Sequence, residues 1–98
     1  MHTATMPSRR VPRPVPSPSP SGNITRALKA RPVWVDVPTD DGGETRTAGF
    51  ALAWTRDAVE VQVLWRKEYY VAATEFWVGA SRVQRRVIEP QWLGRPVA

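Results

Sequence analysis

The sequence predicts an all-β protein: a small five-stranded antiparallel barrel, residues 33–92, behind a disordered Pro- and Arg-rich tail, residues 1–31. Three observations predict it. From Val33 onward, apolar residues recur at the two-residue period of a half-buried strand. Clusters of Gly, Pro, Asp and other charged residues interrupt that alternation at short intervals. Ahead of it, Pro12, Pro14, Pro16, Pro18 and Pro20 alternate with Arg, Val and Ser. Such a composition buries too little apolar surface to offset chain entropy and samples polyproline II.

Residues 23–30 fit a short helix capped by Asn23 and presenting Ile24 and Leu28; they fit a frayed linker equally well, because two helical turns are marginal alone. Pro32 disfavours helical geometry at Arg31. Val33, Val35 and Val37 alternate with Trp34 and Asp36 to give a first strand, and Pro38 to Gly43 supply the turn after it. Phe50, Leu52 and Trp54 alternate with Gly49, Ala51 and Ala53 in the second. After Arg56-Asp57, Val59, Val61 and Val63 alternate with Glu60 and Gln62 in the third, so strands two and three form a hairpin. A turn at Arg66-Lys67-Glu68 leads to a fourth strand, Tyr69 to Val78, broken or bulged near Ala72 to Thr74. The last strand runs from about Arg82 to Ile88, and Pro90 ends the ladder. Trp92 and Leu93 are expected to fold over the barrel's open end rather than to act as a linear motif, and residues 93–98 are the flexible C-terminus.

Five short strands in about 60 residues cannot bury their faces as a flat sheet, so they should curl into a barrel. So small a core needs large apolar groups, and the five tryptophans supply them at about 150–250 Å² each. An OB-like barrel usually has longer strands and a helix between the third and fourth. Nothing after Trp65 reads as helical, so the SH3-like alternative is preferred.

One segment agrees with that choice. Glu75-Phe76-Trp77-Val78-Gly79-Ala80-Ser81-Arg82-Val83 resembles the Trp-Val-x-x-Ser-Arg-Val stretch that precedes the last strand of chromo-barrel and Tudor-knot domains. Val61 to Trp65 looks like their central strand. The resemblance implies an SH3-like barrel with Val78 and Val83 in the core and a single 3₁₀ turn between them. Modules of this kind often carry an aromatic cage for methylated lysine, since a ring face attracts a desolvated cation. By alternation, Trp34 and Trp77 lie opposite their valine neighbours and one of Tyr69 and Tyr70 points outward. Trp34, Tyr69, Tyr70 and Trp77 are therefore the candidate partner-binding residues. The rival reading, in which Trp34 and Trp77 cover the barrel's second opening, is the more economical one for such large rings.

Charge divides the chain at the same boundary as order. Arg9, Arg10, Arg13, Arg26, Lys29 and Arg31 stand in residues 1–31 without an acid, whereas residues 32–98 carry eight basic and nine acidic groups. The tail thus suits an anionic partner: nucleic acid, anionic lipid or an acidic protein. Twelve of the fourteen bases are Arg, as GC-rich codon usage produces, and this weakens any argument specific to arginine.

Catalysis needs groups that titrate or attack. The only histidine is His2, there is no cysteine, and no Ser-x-x-Lys or Gly-x-Ser-x-Gly pattern occurs. The expectation is a protein that is not an enzyme and holds no cofactor or metal. Asp40, Asp41 and Glu44 lack the alternate-oxygen spacing of a calcium loop and read as turn residues. No apolar run is long enough for a signal peptide or a membrane span, so the expected location is cytoplasmic.

Two functions from different classes follow. In the first, the barrel is a binding or adaptor module that docks a protein through Trp34, Tyr69, Tyr70 and Trp77, with the tail as tether. In the second, it is a nucleic-acid-binding accessory protein. There the tail bases Arg9, Arg10, Arg13, Arg26, Lys29 and Arg31 supply affinity for DNA or RNA, and Arg82, Arg85 and Arg86 orient the barrel on the strand. Neither the protein partner nor the oligomeric state is specified by residue types or spacing.

Overall fold

The computed structural model describes residues 10–88 of the chain; the expected cover by Trp92 and Leu93 and the flexible C-terminus fall outside them. In chain order the elements are β1 (Thr25–Pro38), β2 (Glu44–Trp54), β3 (Ala58–Arg66), β4 (Val71–Gly79), a 3₁₀ turn (Ala80–Arg82) and β5 (Val83–Arg85). Every ladder is antiparallel, and the strands form one sheet in the order β4-β3-β2-β1-β5. Among the described residues no ladder joins β4 to β5, so the sheet is open.

The valine alternation read from the sequence becomes the inner face. Val33, Val35 and Val37 on β1 pack with Val61, Val63 and Trp65 on β3 and with Phe76 and Val78 on β4. Val83 is partly buried against this cluster, on the far side of the 3₁₀ turn from Val78. The turn itself occupies the place that the Trp77–Val83 resemblance implies.

Residues 23–30, read as a short helix or a frayed linker, are neither from Thr25 onward: β1 begins there. Thr25 pairs with Trp54 and Arg26 with Ala53, which gives the backbone partners on β2 that an isolated two-turn helix lacks. The register then skips to Arg31, so residues 27–30 pair with nothing in that ladder and Leu28 is fully exposed.

Residues 10–20 also depart from the expectation of a disordered tail. Proline at every second position leaves a backbone N–H only on the residues between, and three successive ones are used. The Arg13 N–H donates to Asp40 Oδ1 at 3.0 Å, the Val15 N–H to the Pro38 carbonyl at 2.8 Å, and the Ser17 N–H to the Trp77 carbonyl at 2.8 Å. The Trp65 indole donates to the Pro12 carbonyl at 2.9 Å. The segment therefore forms a strap tied to β1, β3 and β4. Composition misleads here because an alternating-proline chain is already extended and gives up little entropy when it docks.

Three smaller expectations change. The irregularity placed near Ala72 to Thr74 is absent from β4, whose ladder with β3 runs unbroken from Val71↔Arg66 to Gly79↔Ala58. It lies in β2 instead, where Ala51 faces Val61 but Ala53 faces Glu60, leaving Leu52 as the extra residue of a bulge. Tyr69 and Tyr70 stand in the β3–β4 turn rather than in a strand, and β5 spans three residues instead of reaching Ile88.

The bulge follows a tight approach. A Cβ on Gly49 would stand 2.6 Å from the Gln62 carbonyl oxygen and 2.7 Å from Val63 Cγ1, and a backbone atom cannot yield as a flexible side chain does. Gly49→Ala is expected to cost about 1–3 kcal/mol in equilibrium urea unfolding, as overpacking does. Gly43→Ala, whose Cβ would meet the Asp41 carboxylate at 3.4 Å and the Thr39 hydroxyl at 3.7 Å, both ordinary contacts, should stay within about 0.5 kcal/mol of the parent.

Candidate partner-binding face

Trp34 sits in the middle of β1 between Ala48 on β2 and Gln84 on β5, opposite the valine face, and is 37% exposed. Two guanidinium groups lie over its ring: Arg46 at 5.3 Å from the centroid and Arg86 at 5.7 Å. Both are held in place. Arg86 donates through Nε to the Val33 carbonyl at 3.1 Å and through Nη2 to the Gly49 carbonyl at 3.0 Å, and it also lies 5.4 Å from the Phe50 ring. Arg46 donates to Asp36 at 3.3 Å and to Gln84 Oε1 at 2.9 Å. The ring's attraction for a cation is thus already satisfied from within the chain.

The ladders extend this site across the sheet. Gly49 faces Val63, which sets Ala48 level with Leu64, and Leu64 faces Ala73. Phe50 faces Pro32 on one side and Gln62 on the other. The outer face of β1 to β4 therefore presents Trp34, Phe50, Leu64 at 69% exposure, and Val71 opposite Arg66. Its acids have neighbours: Asp36 pairs with Arg46, and Glu75 accepts from Gln62 Nε2 at 3.0 Å.

The four aromatic candidates do not come together on this face. Trp34 belongs to it. Trp77 does not contribute a free ring: it is only 8% exposed and clusters with Ala53 and Ala58, which corrects its reading as an exposed partner-binding residue. Its direction was legible, since it opposes Glu60 rather than the valines, but its burial depends on the β2 bulge that turns Ala53 toward it. Tyr69, 91% exposed, and Tyr70, 63% exposed, stand at the β3–β4 turn, and Tyr70 lines a hollow with Trp65 and the strap residues Arg10 to Arg13. Phe50 and Leu64 were missed, although outward alternation on β3, with Val61 and Val63 pointing in, was the signal for Leu64.

The arginines of the nucleic-acid reading are distributed rather than gathered. Arg9 lies outside the described residues. Arg10 pairs with Asp40 at 2.8 Å, Arg26 with Glu60 at 3.3 Å, and Arg82 with Glu44 at 3.1 Å. Arg31 lies over the Trp54 ring at 5.0 Å, Lys29 falls in the unpaired stretch of β1, and Arg86 is committed to carbonyls as above. The Arg85 guanidinium makes no hydrogen bond or ion pair among the described residues.

The β1–β2 turn has the strongest electrostatics. Gly42 takes φ of 89°, Asp41 Oδ1 accepts from Thr39 Oγ1 at 2.6 Å and from the Gly43 N–H at 3.0 Å, and Asp40 receives Arg10 and the Arg13 N–H. Arg10 first, then the Arg13 amide, hold the Asp40 carboxyl below the usual carboxylate range; the Thr39 hydroxyl and then the Gly43 amide do the same for Asp41. A carboxyl depressed in the folded state stabilises it above the unfolded value near 3.9, and that contribution is lost as pH falls through the folded value. The melting temperature should therefore fall from about pH 5 to about pH 2, and fall less steeply in Asp40→Asn/Asp41→Asn.

Among the described residues no helix is long and apolar enough to cross a membrane. The chain matches no family model, no curated protein and no solved structure.

Proposed function

We propose that the chain is a non-catalytic protein-binding module, SH3-like in arrangement, that docks its partner on the outer face of β1 to β4. The observation that carries this reading is the exposed run of Trp34, Phe50, Leu64 and Val71 with Arg46, Arg66 and Arg86 set among them. Apolar side chains exposed side by side on one sheet face, rather than singly, are the usual mark of a docking surface. Arginine and aromatic residues are also the types that dominate the energy of such interfaces. The partner surface that fits is apolar at its centre with a carboxylate to meet Arg66, since Arg46 and Arg86 are held within the chain. For the SH3-like arrangement, the support is the 3₁₀ turn between β4 and β5, where the modules resembling Trp77–Val83 have theirs.

Tyr69 lies at the margin of this face, beyond Val71, and the strap serves as an internal tie from Arg10 onward, leaving only the residues before it to act as a tether. Nucleic acid is the weaker reading, because the ion pairs of Arg10, Arg26 and Arg82 spend the charges it relies on.

Photo-crosslinking separates the two. A crosslinker at Phe50 is expected to capture one protein, and Leu64→Glu, at an exposed position, should abolish capture while shifting stability by no more than about 0.5 kcal/mol. The same crosslinker at Leu28, in the unpaired stretch of β1, should capture nothing. Capture of nuclease-sensitive material, or capture indifferent to Leu64→Glu, overturns the proposal.

A further inference from the structure

The β2 bulge that buries Trp77 also turns Trp54 inward, opposite Val59. At that end of the inner face the described residues leave the core unfilled. A cleft of about 480 Å³ opens there, with Val33, Ala51, Trp54, Val59 and Val83 forming its apolar wall. Three arginines also line it: Arg31, Arg85 and Arg86. No acid lines it among the described residues.

The register explains why two of those charges face the cleft. Arg31 precedes Val33 by two residues on β1 and so projects to the same side, opposite Ala51. Arg85 faces Val33 across the β1–β5 ladder and projects to that side as well. Their states differ from that of Arg86. Arg86 is spent on the Val33 and Gly49 carbonyls. Arg31 rests on the Trp54 ring at 5.0 Å, and the Arg85 guanidinium has no partner among the described residues.

We propose that this cleft is a binding site for a small organic anion with an apolar body, of the alkyl or aryl carboxylate class. The apolar body displaces water from Val33, Ala51, Val59 and Val83, and the carboxylate is held between Arg31 and Arg85 by charge-assisted hydrogen bonds. The volume lies inside the range of roughly 300–1,000 Å³ usual for small-molecule sites, and a mostly apolar lining with a few convergent charges is their usual composition. Charge complementarity selects the sign: with arginines and no acid among the described lining residues, an amphiphilic cation or a neutral alcohol gains the apolar term alone.

The site is separate from the outer face, and so is its test. Sodium decanoate, kept below its micellar concentration, is titrated into the full-length chain and followed by NMR of backbone amides and indole N–H groups. Expected are saturable shifts at Trp54, Val33, Val59 and Val83, affinity at least tenfold weaker in Arg31→Gln/Arg85→Gln, and at least tenfold weaker binding of decanol and decylammonium to the parent. Arg85→Glu guards against an effect of stem packing: it should lose decanoate and gain decylammonium. The proposal is overturned if the three probes bind alike, if the shifts map to Trp34, Phe50 and Leu64 instead, or if no saturable shift appears up to millimolar probe. The last result would be joined by contacts from residues 89–98 to Val59 if the chain's own C-terminal segment fills the cleft. None of these outcomes bears on crosslinking from Phe50, so failure here leaves the docking face standing.

Discussion

One extra residue in β2 sets the arrangement on which the rest depends. Strand side chains alternate with a period of two, so a single inserted residue exchanges the faces of everything beyond it. Up to Ala51, β2 follows its neighbours: Gly49 and Ala51 point inward and Phe50 outward. Past Leu52 the assignment inverts, so Ala53 joins Trp77 and Ala58 in a second buried cluster, and Trp54 joins Val59 at the open end of the first. Both consequences concern tryptophans. One becomes interior on the face that should be solvated; the other becomes the wall of a cleft on the face that should be sealed.

Much of this architecture was legible because valine rows are hard to misread. Val33, Val35 and Val37, with Val61 and Val63, were set on one face of their strands by alternation alone, and that face is the core. The β1–β2 turn was legible from Asp-Asp-Gly-Gly, whose positive φ at Gly42 and Asp41 side-chain bonds are local chemistry. The bulge was not legible. Ala51-Leu52-Ala53 carries no glycine or charge to mark it, and a run of small apolar residues tolerates either face. The position of Trp77 was half legible: its direction follows from period two, but its burial requires knowing which way Ala53 points.

The strap shows where composition and pattern part company. Read as composition, residues 10–20 are proline, serine, arginine and valine and belong to an unfolded tail. Read as pattern, proline at every second position deletes every second donor and leaves Arg13, Val15 and Ser17 to serve acceptors on the sheet. An open sheet of this size leaves carbonyls at Pro38 and Trp77 without ladder partners, and a chain that is already extended satisfies both at little entropic cost. Trp65 supplies the anchor that fixes the register, because its indole reaches the Pro12 carbonyl.

The same accounting decides how far charge can explain function. Net charge places the excess positive charge in the first part of the chain, yet a guanidinium that is paired is no longer available at full strength to an outside anion. Arg10, Arg26, Arg46 and Arg82 have carboxylate partners, and Arg86 has carbonyls and two aromatic rings. Exposed pairs contribute little to stability, commonly under about 1 kcal/mol, but they lower the local potential that would steer a polyanion. What the described arginines do best is shape. Arg46 and Arg86 lie over the Trp34 ring and are themselves held by Asp36, Gln84 and two backbone carbonyls, so the outer face is a braced, partly aromatic surface rather than a loose basic one. A braced surface of that kind discriminates partners by fit, which is why the apolar run at Trp34, Phe50 and Leu64 argues more strongly for a protein partner than the chain's net charge argues for a nucleic acid.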